Sequence, residues 1–172
     1  MYALIGEFVD AFIHALYFIF PAYCANAAPV IFGGGLPIDA GRTFVDGKPI
    51  FGSHKTIRGF LAGLIIGTLV GFSGQFVLSG EQSAFLGFVL ALGALVGDLA
   101  DSFIKRRLGI RPGSPVPLAD QLDFVLGALV FSLAIGRFIP TEGVVIILIV
   151  TPPIHLLTNG VAYLLGAKKK TP

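Results

Sequence analysis

Five long apolar stretches alternate with shorter polar segments along this chain. They cover roughly residues 2–24, 58–78, 84–107, 120–138 and 143–166. Because a hydrocarbon core needs about 20 apolar residues per helix, each stretch predicts a membrane-spanning helix. The second stretch carries no charge from Gly59 to Leu78. The third and fourth can span the membrane only if their aspartates lie in the membrane interface. The pattern therefore predicts an all-α integral membrane protein, a bundle of about five transmembrane helices.

Small residues and prolines predict how individual helices pack. Glycines at 59, 63, 67 and 71 recur every fourth residue and favour close approach of another helix. Gly93 and Gly97 repeat this spacing in the third stretch, so we expect the second and third helices to pack together. Pro152-Pro153 should kink or break the fifth helix near mid-membrane, which would either open a cavity or only curve the helix.

The cations are distributed unevenly between the polar segments. Eleven of the twelve lysines and arginines share one side if there are five helices, and only Arg137 lies on the other. The positive-inside rule identifies the richer side as cytoplasmic. We therefore expect the N-terminus outside, the C-terminus in the cytoplasm, and cytoplasmic loops at about 25–57 and 105–120. Lys168 to Lys170 are assigned only this topological role.

Composition agrees with a multi-pass protein of the cell membrane. Hydrophobic residues make up 55% of the chain and charged residues 13%, whereas soluble domains have about 25% charged residues. The 172 residues suffice for one compact bundle, so we predict a single transmembrane catalytic domain over 1–172. A net charge of +2 gives no reason to expect a nucleic-acid partner. Cys24, the single cysteine, excludes an internal disulfide and any multi-cysteine metal site.

Two pairs of aspartates carry the strongest chemical signal. Asp98 with Asp101, and Asp120 with Asp123, have i,i+3 spacing, which places both carboxylates of a pair on one helix face. Ionisable residues at the end of an apolar stretch are a functional-site hypothesis by default. Carboxylates without histidine or thiol partners favour Mg²⁺. The alternative is that Lys105 to Arg107 simply neutralise them at the membrane interface.

The first long loop is the second polar concentration. Its last residues place Lys55, Thr56 and Arg58 at the N-terminal mouth of the second helix. A helix N-terminus attracts anions through its free N–H groups and its dipole. The three residues are therefore candidate phosphate ligands, although the loop lacks Walker spacing. Plain positive-inside flanking is the alternative interpretation.

The segment from Gly97 to Ile110 resembles the signature of the CTP-dependent phospholipid cytidylyltransferases. It carries a Gly-Asp, a Ser four residues after the Asp, then Lys-Arg and a Gly. The segment 120–123 stands where those enzymes have an Asp-Arg-x-x-Asp type of sequence, and 115–119 replaces the glycine-rich approach of the bacterial members. This departure and the short chain are similar to the archaeal branch, the CDP-archaeol synthases, as is the segment from Gly52 to Gly59.

This resemblance implies an enzyme of archaeal phospholipid biosynthesis. The enzyme would transfer the CMP moiety of CTP to the membrane lipid 2,3-bis-O-geranylgeranylglycerol 1-phosphate, giving CDP-archaeol and pyrophosphate, with the active site facing the cytoplasm. One or two Mg²⁺ ions would be held by Asp98, Asp101, Asp120 and Asp123. The catalytic residues would be Asp98, Asp120 and Lys105. Nucleotide and phosphate ligands would be Asn26, Lys55, Thr56, Arg58, Ser102, Arg106 and Arg111. The oligomeric state is not predicted.

Three other functions fit parts of the pattern. A CDP-alcohol phosphotransferase also has paired aspartates, but it needs Asp-Gly-x-x-Ala-Arg where this chain has Asp98-Leu99-Ala100-Asp101-Ser102. An intramembrane prenyltransferase would place Asp-rich motifs against an isoprenoid diphosphate. A small membrane transporter would need ionisable groups near the midplane, where His14 and His155 are the main examples.

Overall fold

The computed structural model describes residues 2–77 and 82–164, with side chains from residue 5 onward. It contains five helices: α1 (Tyr2–Phe32), α2 (Ile57–Gly74), α3 (Ala84–Arg107), α4 (Ala119–Ala134) and α5 (Thr141–Leu164). Extended pairing in the described residues is limited to two isolated bridges within the α1–α2 segment, Pro37 with Thr56 and Thr43 with Pro49. The prediction of an all-α membrane bundle is confirmed.

Three helix ends differ from the sequence expectation by four residues or more, and one of them is that of α2, which ends at Gly74 instead of near residue 78. α1 continues to Phe32 instead of ending near residue 24, because Asn26 and Pro29 are accommodated within the helix. It ends at a glycine run in which Gly34 and Gly35 adopt positive φ angles of 105° and 78°. α4 has only 16 residues and is about 24 Å long at 1.5 Å per residue. Among the described residues, the other four helices are long and apolar enough to span a membrane.

The glycine ridge of α2 lies between α1 and α3. All four of its glycines are buried. A Cβ added at Gly63 would lie 2.6 Å from the carbonyl oxygen of Ala25 in α1 and 2.9 Å from Leu95 Cδ2 in α3. A Cβ at Gly71 would lie 2.7 Å from the carbonyl oxygen of Ser83. The predicted packing role of the ridge, and the α2–α3 contact, are confirmed.

Gly93 and Gly97, however, face α4 and not α2. A Cβ at Gly93 would lie 2.6 Å from the carbonyl oxygen of Gly127, and a Cβ at Gly97 would lie 3.2 Å from the Gly127 Cα. The expectation that these two glycines contribute to the α2–α3 contact was therefore wrong. They instead let α3 and α4 approach closely beside the aspartate pairs.

The hydrophobic core is shared by α1, α3, α4 and α5. In α5 the buried residues are Gly143, Ile146, Ile147 and Thr151, and no described residue after Thr151 is buried. α5 is not broken at Pro152-Pro153, since one continuous helix passes through both prolines. The sequence prediction of a possible break is thereby corrected, and the prolines instead mark where α5 leaves the core.

The two polar segments, 33–56 and 108–118, pack together at one end of the bundle. Lys48 Nζ donates to the carbonyl oxygen of Arg107 at 2.7 Å. The Arg107 guanidinium contacts the Asp46 carboxylate and lies 4.9 Å from the ring centroids of both Phe44 and Phe103. This end is called the loop end below. Arg137 lies at the opposite end, and Lys168 to Lys170 lie outside the described residues.

Candidate active site at the loop end

The close contact of α3 and α4 brings the two aspartate pairs together. Asp98 and Asp101 lie in the last turns of α3, and Asp120 and Asp123 lie in the first turns of α4. Asp101, Asp120 and Asp123 each offer a carboxylate oxygen, and the three oxygens lie within 4.8 Å of one another. We call these three residues the acidic cluster. The close contact at Gly97 determines this geometry, because the backbone of Asp123 lies against Gly97.

Lys105 lies inside the acidic cluster. Its ammonium group contacts both Asp101, one helical turn earlier, and Asp120 on the facing helix. Asp120 is further oriented by the backbone N–H of Val116, which donates to its other oxygen at 3.0 Å. An ammonium group held between two carboxylates shows that a cation fits this position. Three carboxylates at this spacing also form the hard oxygen donor set that Mg²⁺ prefers.

Asp98 has a different partner. Lys55, at the end of the first polar segment, places its Nζ 2.6 Å from both carboxylate oxygens of Asp98. This ion pair ties the start of α2 to α3 next to the acidic cluster. The structure thus groups three of the four predicted metal ligands and pairs the fourth with a predicted phosphate ligand.

The hydroxyl of Thr56 has a structural task. It accepts hydrogen bonds from the backbone N–H groups of Gly59 and Gly34, both at 3.2 Å, and it caps the N-terminus of α2. The hydroxyl thereby fixes the segment that carries Lys55. Thr56 was predicted to bind phosphate, and these contacts occupy its acceptor positions.

Asp39 organises the same segment from within. Its carboxylate accepts backbone N–H groups from Gly41 at 3.0 Å and from Phe51 and Gly52 at 2.9 Å each. Burial by itself would raise the pKa of this carboxyl, but the hydrogen bonds from Gly52, Phe51 and Gly41 outweigh it and hold the pKa below its usual value. The ionised form of Asp39 therefore belongs to the folded loop.

Arg106 is the least satisfied cation near the acidic cluster. It is 5% exposed, and its Nε and Nη1 atoms have no hydrogen-bond partner. Its Cδ lies under the turn at Gly52, where an added Cβ would come within 3.9 Å. Buried guanidinium donors are nearly always paired, so the two unmet donors make Arg106 a candidate anion ligand beside the acidic cluster.

The remaining predicted site residues are more scattered. Ser102 is buried on α3 between Asp101 and Arg106, whereas Arg58 and Arg111 are exposed at the rim. Asn26 lines a cleft between α1 and α5.

Sequence reasoning missed the residues that shape the surroundings of the site. Arg107 was treated only as part of a cationic run, although its side chain holds segment 42–50 against α3. Asp39 was given no role, although an Asp two residues before a Gly is a recognisable Asx-turn signal. Nothing in the spacing of Tyr23 and Phe124 indicated that their rings would meet, with centroids 5.7 Å apart.

Comparisons with known proteins cover nearly the whole chain. Residues 8–171 match the family model described as CarS-like, CDP-archaeol synthase. A CDP-archaeol synthase from Pyrococcus furiosus is 51% identical over 155 residues, covering 88% of this chain and 92% of the relative. One from Methanocaldococcus jannaschii is 46% identical over 166 residues, covering 90% and 93%. A solved structure of an intramembrane enzyme for archaeal membrane lipids biosynthesis has a TM-score of 0.81 and 42% identity, covering 86% of this chain and 93% of its own.

Proposed function

Because the chain belongs to the CDP-archaeol synthase family, we propose that it transfers the CMP moiety of CTP to 2,3-bis-O-geranylgeranylglycerol 1-phosphate. An oxygen of the lipid phosphate attacks the α-phosphorus of CTP, and the bond from that phosphorus to the β-phosphate oxygen breaks. CDP-archaeol forms, and pyrophosphate leaves with the electron pair. Membership in this family decides against the CDP-alcohol phosphotransferase, the prenyltransferase and the transporter.

The observation that carries the proposal is the acidic cluster with Lys105 inside it and the unmet donors of Arg106 beside it. The nucleophile is already an anion at neutral pH, so the reaction needs no general base. It needs neutralisation of the crowded phosphates and alignment of the attacking and leaving oxygens. Carboxylates and cations from α3 and α4 supply both requirements.

Mg²⁺ would be held by Asp101, Asp120 and Asp123. When bound, the ion would neutralise charge on the triphosphate and on the departing pyrophosphate. Asp98, one turn before Asp101, would complete the set if Lys55 transferred from its carboxylate to a phosphate oxygen. Asp98 and Asp120 are the two catalytic carboxylates of the proposal, one from each helix.

The cations have separate tasks in this proposal. Lys55 and Lys105 act as point charges, each of which exchanges a carboxylate for a phosphate oxygen when substrates bind. Arg106 offers its unmet guanidinium donors to phosphate oxygens of the substrates. Arg58 and Arg111, which are exposed, attract the nucleotide into the site, and the buried Ser102 supplies a neutral hydrogen-bonding group. Asn26 lines the cleft between α1 and α5, so it is not assigned to the nucleotide.

The loop end would face the cytoplasm, where CTP is available, with the N-terminus outside. This orientation rests on the cations of both polar segments, set against Arg137 alone at the opposite end. The test is labelling in intact cells after replacement of Cys24. A cysteine at the exposed Ser53 should react only once the membrane is permeabilised, and one at Thr141 should react from outside. Reaction of both without permeabilisation would contradict the orientation.

The activity itself is tested by transfer of label from α-³²P-CTP to extractable lipid. Purified protein should form labelled lipid only with the lipid phosphate and Mg²⁺ both present. Asp120→Asn should abolish transfer, while Asp10→Asn, a carboxylate in α1 far from the acidic cluster, should leave it unchanged. Undiminished transfer by Asp120→Asn at saturating Mg²⁺ would remove Asp120 from the site, and no transfer by the unmodified protein would refute the proposed function.

A further inference from the structure

A cleft of about 240 Å³ separates the loop-end halves of α1 and α5. Its walls run from Tyr23 to Ile31 in α1 and from Ile154 to Ala162 in α5, and Phe124 of α4 forms part of its lining. The nine residues of each wall span about 12 Å along the helix axis from first to last. The cleft therefore covers less than half of a hydrocarbon core of about 30 Å.

The sequence of α5 explains why the cleft exists. The N-terminal half of α5 packs into the core through Ile146 and Ile147. This packing ends at Thr151, whose hydroxyl lies 2.8 Å from that of Tyr23. Pro152 and Pro153 follow directly and lack the N–H groups that would continue the helical hydrogen bonds. From Thr151 toward the loop end, a gap separates α1 from α5. The Tyr23–Thr151 contact closes this gap at the end that lies farther from the loop end.

The cleft lies at the same depth as the acidic cluster. Phe124 directly follows Asp123 and is 1% exposed. Its ring contacts Tyr23, with centroids 5.7 Å apart, and His155, with centroids 6.2 Å apart. One stretch of α4 backbone thus presents a carboxylate to the reaction site and an aromatic ring to the cleft.

The chemistry of the walls indicates the occupant. Most of the lining is apolar, but it includes the polar Asn26, Thr158, whose hydroxyl donates to the carbonyl oxygen of His155, and the hydrogen-bonded pair of His155 and Asn159. A bare hydrocarbon chain has no use for amide donors. The junction between a glycerol and an ether-linked chain places ether oxygens, which accept hydrogen bonds, next to a branched apolar chain. Such a junction matches the mixed lining.

We propose that the α1–α5 cleft binds the glycerol-proximal part of a prenyl chain of the lipid phosphate substrate, so that the phosphate reaches the acidic cluster sideways from the membrane. This inference rests on the proposed function. The cleft would recognise the lipid by its ether junction and methyl branches, independently of CTP. Because the cleft is short, the rest of the chain would extend into the bilayer.

Kinetics with filled clefts test this assignment. Ala27→Phe and Ala162→Phe place a ring in the cleft from either wall, and Ala134→Phe is the matched control at the exposed outer end of α4. Each cleft variant should raise KM for the long-chain lipid phosphate at least tenfold and leave KM for CTP unchanged. A lipid phosphate whose chains are cut to a few carbons should be used equally well by all three variants. Unchanged lipid KM in both cleft variants would overturn the proposal.

A binding measurement provides a readout separate from turnover. A bis-prenyl glycerol phosphate with a diazirine in its first isoprene unit, irradiated without CTP, should cross-link to peptides containing 23–31 or 154–162. Unlabelled lipid phosphate should compete with this labelling. Labelling of helices that do not line the cleft, or equal competition by a diether lipid that lacks the phosphate, would show bulk lipid in the cleft and overturn the proposal. Failure of the unmodified protein to transfer CMP would instead refute the proposed function.

Discussion

Gly97 is the position where a single methyl group should separate stability from catalysis. It lies where α3 meets the backbone of Asp123, and an added Cβ would lie 3.1 Å from the Asp123 carbonyl carbon and closer still to its oxygen. Backbone atoms cannot rotate away as a flexible side chain can. Gly97→Ala therefore has to move α3 and α4 apart beside the acidic cluster.

Two opposing effects determine the change in the free energy of unfolding of Gly97→Ala, and a separate change in geometry determines its loss of activity. Alanine favours a helix over glycine by about 1 kcal/mol. Overpacking a tight contact costs about 1–3 kcal/mol, so the free energy of unfolding should fall by about 0–2 kcal/mol. The carboxylate oxygens of Asp101 and Asp123 must stay within 4.8 Å across the same interface. A displacement of roughly 1 Å there should lower kcat/KM about 100-fold.

The assay measures thermal unfolding in detergent alongside CMP transfer at saturating CTP. The matched control is Gly71→Ala, whose Cβ would lie 2.7 Å from the Ser83 carbonyl oxygen at the opposite end of the bundle. The control should lose comparable stability and keep its activity per folded molecule. Normal kcat/KM in Gly97→Ala, or an equal loss of activity in Gly71→Ala, would refute the link between the α3–α4 contact and the acidic cluster.

Three further predictions concern the first polar segment. Lys55→Arg keeps the charge but replaces a point charge by a planar fork, so KM for CTP should rise about tenfold if Lys55 binds phosphate and stay constant if it only orients the protein. Arg107→Lys loses the guanidinium contacts to the Asp46 carboxylate and the Pro49 carbonyl oxygen, together with the aromatic stacking. This loss should destabilise segment 42–50 by about 1–3 kcal/mol and speed its cleavage in limited proteolysis. The pKa of Asp39 is lowered by folding, so its stabilisation is complete above the ordinary value of about 3.9 and is lost as pH falls through the lowered pKa. Hydrogen exchange at Gly52 should therefore accelerate in acid, and Asp39→Asn should remove this pH dependence.

The lengths of the apolar stretches were sufficient to predict the helices, because membrane spans are defined by length and apolarity alone. Their ends were harder to predict. The first helix was predicted to end near residue 24, but the backbone stays helical to Phe32, before Gly34 and Gly35 adopt positive φ angles. Glycine spacing predicts that a face is smooth but not which helix it meets. Gly97 was therefore assigned to the wrong neighbour.

The sequence predicted which residues form the candidate site, but not which of them form ion pairs with each other. Aspartates at i,i+3 were expected to act together, yet the partner of Asp98 comes from 43 residues away in Lys55. Such a pair depends on how the first loop folds, which is decided by the buried carboxylate of Asp39 and by Arg107 packed between two rings. Neither interaction has a helical period, so neither leaves a regular signal in the sequence.

We expect the shortness of α4 to make the enzyme sensitive to its bilayer. A helix of about 24 Å in a hydrocarbon core of about 30 Å creates hydrophobic mismatch, which local thinning of the membrane relieves. Thinning at α4 would draw the headgroup plane down toward Asp120 and Asp123, the depth at which a lipid phosphate has to react. The enzyme would thus deform the membrane to bring its substrate within reach, and a thicker bilayer would resist that deformation.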